Sequence, residues 1–129
     1  MEPEQYLIDT NVIIDYLGQK LLPKAMDFMH GVVNAVPNVS VISRIELLGF
    51  STNETVYQVL KGFMEDATVL DLTEDVADQS INIRKSSKTK LPDAIIAATA
   101  IVYKLVLITR NVQDFKNIPD LKVINPWEI

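Results

Sequence analysis

Short apolar runs and stretches of helical periodicity alternate along this chain from end to end. Residues 5–8 read as an apolar strand that stops at Asp9, Thr10 and Asn11, residue types that cap helices. Val12, Ile13, Tyr16 and Leu17 then recur at helical spacing. After Gly18, residues 21–36 place Leu22, Ala25, Met26, Met29 and Val33 on one face and close at Val36, Pro37 and Asn38. Residues 39–43, short and β-branched, predict a second strand, and a brief helix carrying Glu46 follows. A cap cluster at 51–53 opens a helix over 54–67 with Val56, Val59, Leu60 and Phe63 inward, and 68–72 predict a third strand. Thr73 opens a further helix that dissolves into the polar tract 86–90. Pro92 then starts a helix over 93–103 whose alanines and isoleucines imply burial on most sides. Residues 106–109 predict a fourth, fully apolar strand, a polar loop with Asn111 and Asp114 follows, and 122–124 predict the last strand.

Strands alternating with helices predict an α/β fold: a parallel or mostly parallel sheet with helices on both faces, in one domain over residues 1–129. Ligands of such sheets bind outside the carboxyl ends of the strands, so the residues placed there matter most.

Composition narrows the chemistry. The chain has no cysteine, which excludes disulfides, thiolate metal sites and cysteine nucleophiles. Its acidic start has no basic segment leading into an apolar one, so no secretory leader is read and a cytoplasmic location is expected. The longest uncharged apolar run, residues 94–103, is about half of a membrane span, so no membrane is expected. Seventeen acids against twelve bases give a net charge of −5, the wrong sign for gripping nucleic acid over the whole surface. Any such contact needs a local basic patch.

The acids at the strand ends are the chemical signal. Asp9 directly follows the first strand, Glu46 follows the second and Asp114 the fourth, so all three can face one edge. Asp93 opens a nearly all-apolar helix, where a charge is expensive unless something pairs with it. Each has an ordinary explanation alone: Asp9 and Asp93 as helix caps, Glu46 as a solvated helix residue, Asp114 as a turn residue. Together, four carboxylates from four segments repel one another and raise each other's pKa unless a cation intervenes. An all-oxygen set without histidine or cysteine suits Mg2+ or Mn2+ and does not suit structural zinc.

Four segments carry a resemblance. Residues 7–15 (Leu-Ile-Asp-Thr-Asn-Val-Ile-Ile-Asp), 41–48 (Val-Ile-Ser-Arg-Ile-Glu-Leu-Leu), 91–100 (Leu-Pro-Asp-Ala-Ile-Ile-Ala-Ala-Thr-Ala) and 107–115 (Leu-Ile-Thr-Arg-Asn-Val-Gln-Asp-Phe) resemble the four motifs of the PIN domain. Order and spacing agree over nearly the full chain, and the match is most similar to the VapC-type toxin ribonucleases of toxin–antitoxin pairs. The resemblance implies a three-layer α/β/α domain around a mostly parallel sheet and a metal-dependent endoribonuclease that leaves a 5′-phosphate and a 3′-hydroxyl. It assigns catalysis to Asp9, Glu46, Asp93 and Asp114, with Asp9, Asp93 and Asp114 holding Mg2+ or Mn2+ and Glu46 handling the water. Thr10, Asn11, Thr109 and Asn111 fall where the family has polar support for the acids or the substrate.

Arg84, Lys85, Lys88 and Lys90 form an acid-free basic patch leading into Asp93 and are candidates for RNA contact, joined by Arg110. A toxin of this kind implies a homodimer and a cognate antitoxin. Tyr16, Leu17, Leu21, Leu22, Phe50 and Tyr57 offer apolar side chains for that partner. His30 reads as structural or exposed, and Trp127 as an anchor for the C-terminal tail. Two rivals remain. A receiver-like phosphoacceptor domain has similar length and β/α order, but needs paired acids on the first strand and a Lys-Pro after the last, and neither occurs. The other is a PIN-like binding module without catalysis.

Overall fold

A computed structural model describes residues 4–129, so the acidic start over residues 1–3 lies outside the described residues. Five short strands, β1 (Tyr6–Ile8), β2 (Asn38–Ser40), β3 (Thr68–Leu70), β4 (Val106–Ile108) and β5 (Val123–Ile124), pair in parallel in the order β3-β2-β1-β4-β5. Six helices cover the sheet: α1 (Thr10–Leu17), α2 (Pro23–Asn34), α3 (Val41–Leu48), α4 (Glu54–Asp66), α5 (Glu74–Ser86) and α6 (Leu91–Val102). The three-layer α/β/α architecture is as expected. The strand order is not the 2-1-3-4-5 of receiver-like folds, which removes that rival.

Alternating side chains on each strand divide the core in two. Leu7 and Leu107 face one layer, where they pack with Val76 and Ile83 of α5 and with Ala94, Ile96 and Ala97 of α6. Ile8 and Ile108 face the other, against Val12 and Ile13 of α1, Met29 of α2, Leu47 of α3 and Leu60 of α4. Residues 94–100 of α6 are all buried, as its composition implies, with Thr99 donating its hydroxyl to the Ile95 carbonyl at 2.7 Å. Among the described residues no helix is long and apolar enough to cross a membrane.

Element edges differ from the pattern reading in physically instructive ways. The predicted strand over 39–43 ends at Ser40, whose hydroxyl accepts from the Ile42 N–H at 3.1 Å and starts α3 at Val41. A local cap thus outcompetes the β-branched run. The helix predicted from 21 begins at Pro23, and Val36, beyond its end, takes φ 62°. The third strand stops at Leu70, and Thr73 caps α5 through the Val76 N–H. Asp114 lies in a short 3-10 turn, Val112–Asp114, rather than an irregular loop. His30 is exposed and hydrogen-bonded to the Tyr16 hydroxyl at 2.8 Å, and Trp127 sits in a 3-10 turn packed on the α2 side of the core.

Candidate active site

The chain leaves β1 outward to β2 and β3 and returns to β4 on the other side, so the sheet's switch point lies between β1 and β4. Asp9 and Thr109 are the first residues beyond those two strands. Their side chains meet: Thr109 Oγ1 donates to Asp9 Oδ2 at 2.7 Å, with both residues buried. Asp9 Oδ1 accepts from the Thr10 N–H at 2.8 Å, so the carboxylate caps α1 and faces the site at once. The capping role expected of Asp9 and its candidate functional role coexist in one group. Asn111 donates its N–H to Thr109 Oγ1 at 3.1 Å, fixing the turn that follows β4.

Thr10 joins Asp9 to Glu46. Its hydroxyl donates to Glu46 Oε1 at 2.8 Å and lies 2.9 Å from the hydroxyl of Ser43. A threonine hydroxyl has a single proton, and the carboxylate can only accept. The order is therefore Ser43 O–H to Thr10 Oγ1, then Thr10 O–H to Glu46. Ser43 is fully buried and was missed as a functional candidate. Glu46 itself is exposed on α3.

Asp93 sits in the first turn of α6, whose Ala94 N–H bonds the Lys90 carbonyl. Asp114 is presented on the exposed side of its turn, anchored by the buried Phe115. The four acids are close enough to feel one another. Burial pushes the Asp9 carboxyl up, and the charges of Glu46 and Asp114 push the same way, against the lowering effect of the Thr109 and Thr10 hydrogen bonds. Burial also raises Asp93, reinforced by the charges of Asp9 and Asp114 and opposed by Lys90.

This donor set fits a hard divalent cation: all oxygen, with a desolvated anion at its centre that positive charge would relieve. Asn11 Oδ1, in the first turn of α1, adds a buried acceptor without a hydrogen-bond partner. The spacing is open, however. Among the described residues, no three acidic or histidine side chains are drawn together tightly enough to form a ready coordination group.

The basic candidates separate. Lys88 and Lys90 line a small polar cavity shared with Asp93 and Asp114. Arg84 turns its guanidinium to the Thr89 carbonyl at 3.2 Å, and Lys85 is exposed on α5. Arg110 is committed elsewhere: it pairs with the buried Asp15 at 3.0 Å and stacks over Trp127 at 5.3 Å. The apolar candidates also separate. Leu21 belongs to the core, and Leu22 lies by Trp127. Leu17 and Phe50 line an apolar groove of about 450 Å³ with Ile14, Val56 and Val59, and Thr10 and Glu46 stand in its wall.

A parallel α/β/α sheet with a buried aspartate at its switch point, and further acids near enough for their charges to act on it, defines a class, and the sequence comparisons agree. The chain matches the PIN domain over residues 6–121 and belongs to that family. Ribonuclease VapC19 from Mycobacterium tuberculosis is 32% identical over 123 residues, covering 90% of this chain and 96% of that protein. A chain in a toxin–antitoxin complex from Klebsiella pneumoniae superposes with a TM-score of 0.75 at 32% identity, over 97% of this chain and 100% of that one. FitAcB from Neisseria gonorrhoeae gives a TM-score of 0.77 at 26% identity, over 97% and 100%.

Proposed function

We propose that this chain is the metal-dependent endoribonuclease toxin of a toxin–antitoxin pair. What supports the reading is that Asp9, Glu46, Asp93 and Asp114, from four separate segments, lie near enough for their charges to act on one another, with Asp9 buried at the β1/β4 switch point. Likeness to a named ribonuclease and to a chain of a toxin–antitoxin complex supports it.

Asp9, Asp93 and Asp114 would hold Mg2+ or Mn2+. Bound there, the ion supplies positive charge to the phosphoryl oxygens and lowers the pKa of a coordinated water. The protein's own groups do the rest. Thr109 and Thr10 hold both oxygens of Asp9, orienting the carboxyl inside a buried wall and favouring its anion against the burial that raises its pKa. Glu46, exposed and steadied by Thr10, accepts the proton of the attacking water. Lys88 and Lys90 bring positive charge to the RNA strand beside Asp93, which is how a chain of net charge −5 meets a polyanion. The antitoxin would lay an apolar segment into the groove between α1, α3 and α4, within reach of Glu46. A homodimer completes the assembly by family resemblance.

Purified protein incubated with total RNA should cut it with Mg2+ or Mn2+ and not with EDTA, and mapped ends should carry a 5′-phosphate. Asp9→Ala should abolish cutting with the fold retained. Intact RNA under all metal conditions would leave a binding module as the better description. Expression should arrest growth, with relief by the neighbouring open reading frame.

A further inference from the structure

A polar cavity of about 220 Å³ lies between the 87–90 loop and the turn carrying Asp114, with Asp93 in its wall. Lys88 and Lys90 stand on one side, Gln113 and Asn117 on the other. The lysine side is preorganised. Ser87 donates its N–H and its hydroxyl to the Ile83 carbonyl at 3.0 and 2.9 Å. With that proton used, the Thr89 hydroxyl donates to Ser87 Oγ at 2.7 Å. Arg84 closes the loop by donating to the Thr89 carbonyl. Rigid loops lose little entropy on binding, so this construction favours a ligand over mere solvation.

The chemistry of the lining is specific. Among the described residues neither lysine is within salt-bridge distance of a carboxylate, although the charge of Lys90 is felt by Asp93, so both ammonium groups can reach a phosphate. Gln113 and Asn117 each offer a donor pair and an acceptor, the complement of a base edge. Because the cavity shares Asp93 and Asp114 with the acid cluster, whatever fills it is contiguous with a phosphodiester held there.

We infer that this cavity is a nucleotide subsite: Lys88 and Lys90 hold the RNA phosphate adjoining the scissile one, and Gln113 and Asn117 select the base beside it. This rests on the ribonuclease reading above and deepens it, by naming the residues that choose where the strand is cut.

The test uses the intact chain and a fluorescent single-stranded RNA of random sequence, measured by anisotropy in EDTA at several salt concentrations. Replacing Lys88 and Lys90 with alanine should weaken binding and flatten the dependence of log K on log salt by about 0.7 for each lysine. Lys61→Ala, an exposed charge on α4, should leave the slope unchanged. In Mg2+, Gln113→Ala with Asn117→Ala should redistribute the mapped cut sites among bases while circular dichroism stays native. If the wild-type chain neither binds nor cuts RNA, the ribonuclease reading falls. If it cuts, but the variants keep the wild-type slope and cut sites, the subsite falls and the ribonuclease reading stands. An equal loss of slope in Lys61→Ala would trace the effect to net charge and overturn the assignment.

Discussion

Thr109→Val is the sharpest test of how the buried acid is held. Valine matches threonine in shape, so the fully buried position stays filled and only the hydroxyl is lost. That hydroxyl donates to Asp9 Oδ2 at 2.7 Å and accepts from the Asn111 N–H at 3.1 Å. A hydrogen bond to a charged group contributes about 1.5–3 kcal/mol and a neutral one about 1 kcal/mol, so the loss should be about 2.5–4 kcal/mol. Against a total stability of about 5–15 kcal/mol for an ordinary domain, the variant should still fold. Urea denaturation in EDTA measures the difference. Its pH dependence gives a second check. Burial raises the Asp9 carboxyl above its ordinary value, so its anion costs folding free energy at neutral pH, and that cost fades as pH falls through the folded-state value. Without the Thr109 donor the anion is worse off still. The deficit of Thr109→Val should therefore be largest at neutral pH and shrink on acidification. In the Asp9→Asn background it should also be smaller, a coupling of about 1 kcal/mol or more. A deficit below about 0.5 kcal/mol, or one that is constant with pH, would refute the reasoning, since that is the range of changes touching nothing important.

Three further outcomes follow from the same geometry. Asp93→Asn should raise the melting temperature of the metal-free protein at neutral pH, since burial and the charges of Asp9 and Asp114 disfavour its anion, and should lose RNA cutting; calorimetry in EDTA and a cleavage gel read the two effects. Its stability advantage should fade on acidification as the wild-type carboxyl takes up a proton. Ser43→Ala should lower kcat several-fold with KM little changed, because it removes the donor that orders Thr10 toward Glu46 without touching RNA; steady-state kinetics decide it. Arg110→Ala should destabilise the fold by about 1–2 kcal/mol in urea, less than a fully buried pair because half of Arg110 faces solvent, while the buried Asp15 loses its partner.

The layers of the fold were legible because they rest on periodicity. The all-apolar β4 and the nearly all-apolar α6 announce a buried strand and a buried helix. The convergence of the acids was legible because each follows a strand or opens a helix, and parallel strands bring those points to one edge. What periodicity does not carry is the partner of a charge. Arg110 reads as a free cation beside the site, and only the packing of α1 and the C-terminal turn shows it held by Asp15 and Trp127. Gln113 and Asn117 lie in polar sequence that looks like any loop until the 87–90 loop is set opposite them.

The sharpest case is Ser43, where one misplaced boundary hides a functional residue. Read as part of a strand over 39–43, it belongs to a different element from Glu46, and nothing relates the two. Once Ser40 caps α3, Ser43 and Glu46 are three apart on one helix and share a face, where they meet Thr10 from α1. The hydroxyl of Ser40, bonded to the Ile42 N–H, is thus what converts a β-branched run into a helix and aims Ser43 at the site. Removing that cap with Ser40→Ala should cost about 1 kcal/mol and fray the first turn of α3. If the chain of hydroxyls orders Glu46, that fraying should lower cleavage more than Asn53→Ala, which removes the corresponding cap of α4. Equal effects from the two cap variants would mean that Glu46 is placed by the helix alone and that the Ser43–Thr10 link is incidental.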